Sequence, residues 1–116
     1  MLIQGVLGKI TISKEVVSKI IGKTAIATAG VASMSTGLVE GLAQKLTGNS
    51  LIGGIELKKA DTGLDINLSI VVHYGIKMQE VCMELQRNVR EAVEMFTGIT
   101  IGSIHIKVHG ISVAGN

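Results

Sequence analysis

Residues 64–74 constrain the fold of this chain more than any other stretch of its sequence. From Leu64 onward the even-numbered positions are apolar or aromatic, whereas the odd-numbered positions from Asp65 to His73 are mostly polar. Successive side chains of a β-strand point to opposite faces, so this alternation predicts a strand with one buried face and one mostly polar face. By parity, Tyr74 is expected on the buried face.

Further elements surround this strand. A strand at 55–60 is predicted before it, with a tight turn at 61–63. A helix is predicted after Gly75 and ends at Gly98. Its apolar stripe at helical spacing contains Met78, Val81, Cys82, Leu85, Val89, Ala92, Val93 and Phe96. A last strand is predicted to place Ile104, Ile106 and Val108 inward.

The first half of the chain has weaker periodicity. A short strand is predicted at 8–12, and Ser13 offers an N-cap for a helix that runs to about residue 28. Thr36 is predicted to cap a second, shorter helix that closes at Gly48.

These elements predict a single α+β domain over residues 1–116. The order is β-α-(α)-β-β-α-β, a two-layer sandwich whose helices cover one face of a mixed sheet and leave the other face open. Aromatic residues are only 2% of the chain, so its core must be built from aliphatic side chains.

Charge and cysteine content restrict the partners and the compartment. The net charge of +2 is too small to indicate a nucleic-acid or membrane partner by itself. The single cysteine, Cys82, cannot form an internal disulfide, and the first residues lack the features of a secretory signal. We therefore expect a cytoplasmic protein, with any membrane association made through a partner.

The open sheet face is the candidate interaction face. Its predicted members are Lys58, Asn67, Ser69, Val71, His73, His105, Lys107 and His109. This face has few charges to keep neighbours apart, so we expect it to bind a second copy of the chain or another protein. Since histidine gains charge near pH 6.5, mild acid should weaken that contact.

Other chemistries receive less support. Three histidines share one parity, but they lack the carboxylate or thiolate companions that usually complete a metal site, so we expect no metal and no cofactor. A catalytic set of nucleophile, base and orienting acid cannot be assembled, so an enzyme is not expected. Base stacking on the open face lacks aromatic side chains. Two alternatives stay open: a nucleic-acid module that uses Lys58, Lys107 and the histidines, and a small-molecule accessory protein.

Several short motifs resemble one bacterial family in their order and spacing. They include VVHYG at 71–75, EV at 80–81, LQ at 85–86, VE at 93–94, TG at 97–98 and IHIKVHGI at 104–111, with IS at 12–13, EV at 15–16 and GVA at 30–32 in the first half. Over residues 8–113 the chain resembles the alkaline shock protein family, also called the envelope stress response family. His105 departs from the asparagine usual in that family, and Cys82 from a small residue.

The resemblance implies a small cytoplasmic protein of Gram-positive-type bacteria, linked to cell-envelope homeostasis and alkaline stress. Some relatives are tethered to the membrane by a partner, and others are connected with lipid metabolism. The family has no established catalytic residues. We therefore predict a non-enzymatic interaction or scaffold protein that acts at the inner face of the cell membrane.

Overall fold

In this computed structural model, the structure is described for residues 2–35 and 50–113. The elements, in chain order, are β1 (Leu2–Gly5), β2 (Gly8–Thr11), α1 (Lys14–Ala27), β3 (Val31–Met34), β4 (Ser50–Ile52), β5 (Ile55–Ala60), β6 (Gly63–His73), α2 (Met78–Thr97) and β7 (Ile101–Ser112). The predicted helix at 36–48 lies outside the described residues.

Strand β6 organises the main sheet of five strands. Its first half pairs with β5 and its second half with β3, both antiparallel. Strand β7 pairs with β6 in parallel along almost its whole length. A strand has only two edges, so β5 and β3 share one edge of β6, and β7 lies along the other.

Both helices pack on the same face of this sheet. The even-numbered residues of β6 are 0–3% exposed, and they meet the apolar stripes of the two helices. The residues that form this core include Val17, Ile21, Ala25, Leu57, Ile66, Leu68, Ile70, Val72, Leu85, Val89 and Val93. The helices also join directly, because Asn88 Nδ2 donates a hydrogen bond to Thr28 Oγ1 at 3.1 Å.

Local signals explain where the helices begin and end. Ser13 Oγ accepts a hydrogen bond from the Val16 amide at 3.2 Å, so Ser13 is the predicted N-cap of α1. Helix α2 ends at Gly98, whose left-handed conformation (φ 76°) is typical of a glycine C-cap. These boundaries agree with the sequence prediction to within a residue or two.

The predicted fold class is confirmed. The strand predicted at 8–12 forms as β2, but it pairs only with β1, in a separate two-stranded hairpin, among the residues described. The sequence analysis did not predict β1, β3 or β4. These strands are short, and their sequences, LIQG, VASM and SLI, lack the apolar–polar alternation that marks β2.

Three inward placements were wrong. Tyr74 is 73% exposed, because β6 ends at His73 and the alternation of the strand therefore does not extend to residue 74. Met78 and Phe96 are 42% and 79% exposed. Neither belongs to the row of buried residues on α2, which are spaced by four: Leu85, Val89, Val93 and Thr97. Met78 precedes this row by about two turns, and Phe96 lies beside it.

Candidate functional site

The face of the sheet opposite the helices, here called the outer face, carries side chains in rows across three strands. The register forms two complete rows: Lys58, Asp65 and Ser103 in one, and Glu56, Asn67 and His105 in the next. Neighbouring strands lie about 4.8 Å apart, so side chains in one row are within reach of each other. A third row begins with Ser69 opposite Lys107.

Hydrogen bonds join these rows into a polar surface. Asn67 Nδ2 donates to Glu56 Oε1 at 3.2 Å. Ser103 Oγ donates to Asp65 Oδ1 at 2.8 Å and lies 3.3 Å from His105 Nε2. These bonds orient the side chains of Asn67, Glu56, Asp65 and Ser103, so this part of the outer face presents donors and acceptors in defined positions.

A depression of about 430 Å³ lies at the centre of the outer face. Four residues of the predicted interaction face line it together: Asn67, Ser69, His105 and Lys107. Lys58 lies in the adjacent row and is exposed. Val71 lies further along β6 opposite Gly110, whose missing side chain leaves the flank of Val71 open.

The three histidines do not gather at one point. His105 is opposite Asn67, His73 is opposite Ser112, and His109 lies at a register irregularity between Val108 and Gly110. Since a strand rises by about 3.3 Å per residue, His105 and His109 are separated by roughly 13 Å along β7. Within residues 2–35 and 50–113, no group of three or more His, Cys, Asp or Glu side chains could hold a metal ion.

Sequence comparison assigns the chain to a family. A family model for alkaline shock protein 23, described by a "cell envelope-related function", matches residues 3–113. The chain belongs to this alkaline shock protein family. The membership confirms the resemblance found in the sequence and establishes the link to the cell envelope at the level of the family.

Curated relatives of this alkaline shock family chain match over most of its length. It is 29% identical over 108 residues to the uncharacterized protein YloU of Bacillus subtilis, and this match covers 91% of this chain and 90% of that protein. It is 30% identical over 105 residues to the uncharacterized protein YqhY of the same organism, covering 90% of this chain and 78% of that protein.

Solved structures show the same fold at low sequence identity. One MamM CTD variant matches with 15% identity, a TM-score of 0.51, and coverage of 84% of this chain and 99% of that chain. A nickel form of another MamM CTD variant has 17% identity and a TM-score of 0.50, with coverage of 83% of this chain and 96% of that chain.

The helices that the structure describes in this alkaline shock family chain lack the combination of length and hydropathy that a membrane span requires.

Two residues of the depression were absent from the sequence prediction. Glu56 accepts the bond from Asn67, and the alternation that places Lys58 outward also places Glu56 there. Gly54 is buried with φ +85°, and a Cβ atom at this position would lie 2.6 Å from the Ser35 carbonyl oxygen. No periodicity identifies a glycine of this kind, because its role depends on how closely two strands approach.

Cys82 lies away from the outer face, on α2. It is half-buried and packs against the core, and burial raises the pKa of its thiol. A raised pKa lowers the fraction of reactive thiolate, and the contact with the core agrees with the predicted position of Cys82 in the apolar stripe of α2.

A second concavity lies beside α1. It is an open, largely apolar groove of about 680 Å³, lined by residues that include Gly22, Ile26, Met34 and Ile55. Lys19 and Lys23 also line it. The alkaline shock family chain therefore has a polar concavity on one side of its sheet and an apolar one beside a helix.

Proposed function

We propose that this alkaline shock family chain is a non-catalytic interaction or scaffold protein linked to cell-envelope homeostasis and alkaline stress. The observation that carries the proposal is the outer face. Its polar side chains lie in rows across three strands, and no described element covers its central depression. Its Asn67, Glu56 and Asp65 groups form hydrogen bonds that shape the surface. Such a preorganised face suits recognition of a protein surface.

The proposed location is the cytoplasm, at the inner face of the cell membrane, where a partner protein would provide the attachment. The cell envelope-related description of the family supports this part of the proposal. The occupant of the outer face is a second copy of the chain or a separate protein.

The charge pattern of the outer face favours protein over nucleic acid. Lys58 lies opposite Asp65, and Lys107 shares the depression with Glu56. A phosphate backbone is bound by cations without acids between them. Alternating signs instead suit a protein surface with complementary charges.

Site-specific crosslinking tests the outer face. A photoreactive residue at Ser69 should crosslink a defined product in cells, either a dimer of the chain or one other protein. The matched control is the same reagent at Met95, which is 86% exposed on α2. Equal products from both positions, or none from Ser69, would contradict the proposal.

Light scattering then identifies self-association. If the occupant is a second copy, wild type should be a dimer at pH 8.5, and the double variant Val71→Lys, His105→Glu should be a monomer at the same pH. The wild-type dimer should be weaker at pH 5.5 than at pH 8.5. The control, Met95→Lys with Lys23→Glu, introduces the same two residue types on the helices and should leave the mass unchanged.

The apolar groove beside α1 supports a second candidate, a small-molecule accessory protein. Its apolar lining with two lysines at the rim suits an acyl chain that ends in a carboxylate. Native mass spectrometry of freshly purified protein should then show a retained ligand, and Ile26→Glu should abolish it. A mass equal to that of the bare chain would remove this candidate.

A further inference from the structure

Strand β7 forms an open edge of the main sheet. Among the described residues it pairs only with β6, although it has 12 residues and is the longest strand. The N–H and C=O groups of successive strand residues point alternately to the two sides, so about half of its residues direct these groups away from β6. An edge of this length is a template on which another strand can pair.

Side chains of α2 occupy only the first part of this edge. Glu94 Oε2 accepts a hydrogen bond from the Ile101 amide at 3.0 Å. Gln86 Nε2 donates to the Ile104 carbonyl at 3.0 Å. These bonds show that side chains of α2 reach over the start of β7 and bond its main chain at Ile101 and Ile104.

A groove of about 350 Å³ lies under this overhang. It runs between residues 101–104 of β7 and the side chains of Gln86, Arg87 and Arg90. Its two cations are exposed, and Arg87 is paired with Glu84 at 2.8 Å, with both side chains about half in solvent. The groove therefore places Arg87 and Arg90 next to the point where the side-chain bonds from α2 end and the free part of the edge begins.

Each side of the edge carries cations. On the helix side Arg87 and Arg90 line the groove, although Glu84 pairs with Arg87 and Glu94 binds the Ile101 amide. On the outer face Lys107 lies on β7 itself. Residues 101–112 contain no Asp or Glu. A strand added here would meet cations on whichever face its own side chains point.

We propose that the free edge of β7 binds an extended, Asp- or Glu-rich segment of a partner protein as an additional strand of the sheet. Main-chain hydrogen bonds would supply the pairing, and the arginines and Lys107 would select acidic side chains. The inference goes beyond the proposed function, because it uses the sheet edge instead of the outer face, and each can fail alone.

A second copy of the chain is the poorer occupant. In an antiparallel pair of two β7 strands centred on Ile106, His105 of each copy would lie opposite Lys107 of the other. Lys107 would meet no acidic side chain in the facing strand, because residues 101–112 contain no Asp or Glu. Charge complementarity therefore favours an acidic segment over a second copy.

The test is a titration of the whole chain with an end-capped, eight-residue peptide that alternates Val and Glu, followed by amide NMR. We expect saturable shifts of residues 104–112 and slower amide exchange there. The Lys-for-Glu peptide should bind at least tenfold more weakly. A Glu peptide N-methylated at two adjacent central residues, which loses a donor from each edge, should also bind more weakly.

Matched variants separate charge from fold. Arg87→Ala with Arg90→Ala should weaken binding by about three- to tenfold, the range for two exposed ion pairs. Lys19→Ala with Lys23→Ala removes two exposed cations from α1 and should leave affinity unchanged. No binding at millimolar peptide, shifts that leave residues 104–112 unaffected, equal binding of the N-methylated peptide, or a free chain already dimeric through β7 would each overturn the proposal.

Discussion

The two faces of β6 belong to one strand and yet have different roles. On the helix side, Ile66, Leu68 and Ile70 are at most 1% exposed and pack within the apolar core. On the outer side, Asp65 and Asn67 are half-exposed and form hydrogen bonds across the sheet. Burial makes the first face decisive for stability, whereas the second contributes less energy and carries the chemistry that a partner can recognise.

The largest expected effect is on the buried side. Leu85 is 0% exposed and packs into the core that the inner face of β6 completes. Leu85→Ala should reduce the free energy of unfolding by about 2 to 5 kcal/mol, because it removes methyl groups and leaves a cavity. Chemical denaturation followed by circular dichroism measures it. Met95→Ala, at an 86% exposed site of the same helix, should change stability by less than about 0.5 kcal/mol.

Gly54 is an outer-face position where a substitution should strongly reduce stability, in contrast to the other positions of that face. Its φ is +85°, and a Cβ atom would lie 2.6 and 2.8 Å from the carbonyl oxygens of Ser35 and Ser69. Gly54→Ala should cost about 2 to 4 kcal/mol through backbone strain and the displacement of main chain. Gly53→Ala is the control, since it has φ +55° with no atom within 4 Å of its Cβ position and so only the backbone strain, about 1 kcal/mol. Equal losses from both variants would contradict the close approach.

A smaller effect is expected in the polar rows. Ser103→Ala removes the 2.8 Å hydrogen bond to Asp65 and should cost about 0.5 to 1.5 kcal/mol. Denaturation curves should show this loss against Ser33→Ala, an exposed strand serine used as the reference. A loss as large as that of Leu85→Ala would mean that the outer face also determines stability.

The smallest effect concerns reactivity. Burial raises the pKa of the Cys82 thiol, so at any given pH the folded chain has less thiolate than the unfolded chain. Alkylation of Cys82 by iodoacetamide at pH 8 should be slower in the folded chain than in the chain unfolded in urea. The curve of alkylation rate against pH should also lie at higher pH for the folded chain. Coincident profiles would show that Cys82 is freely solvated.

Periodicity predicted the parts of this fold that are long and bury one face. Strand β6 and the middle of α2 are of this kind, since their buried positions repeat regularly. Tyr74 was misplaced because the alternation does not show that the strand ends at His73. Phe96 was misplaced because helical spacing alone does not show how narrow the buried row of α2 is. The short strands β1, β3 and β4 lack an apolar–polar alternation, so no pattern indicated them.

The candidate site was predictable in part for the same reason. Parity placed Asn67, Ser69, His105 and Lys107 on one face, and the structure brings these four to one depression. Parity does not determine strand order, so the sequence did not reveal that β7 is an edge. The role of Gly54 depends on the meeting of β5 with the chain after β3, which a local pattern does not contain.

The parallel pairing of β6 with β7 also has a consequence for folding kinetics. Strand β5 meets β6 through a turn of two residues, Asp61 and Thr62, whereas β7 reaches β6 only after the 20-residue helix α2 has been placed. Closing a long loop costs more chain entropy before any contact compensates for it. We expect φ-values near the β5–β6 turn to exceed those in β7, as Leu57→Ala and Ile106→Val can measure. The basic edge would then be among the last features of the nascent domain to form.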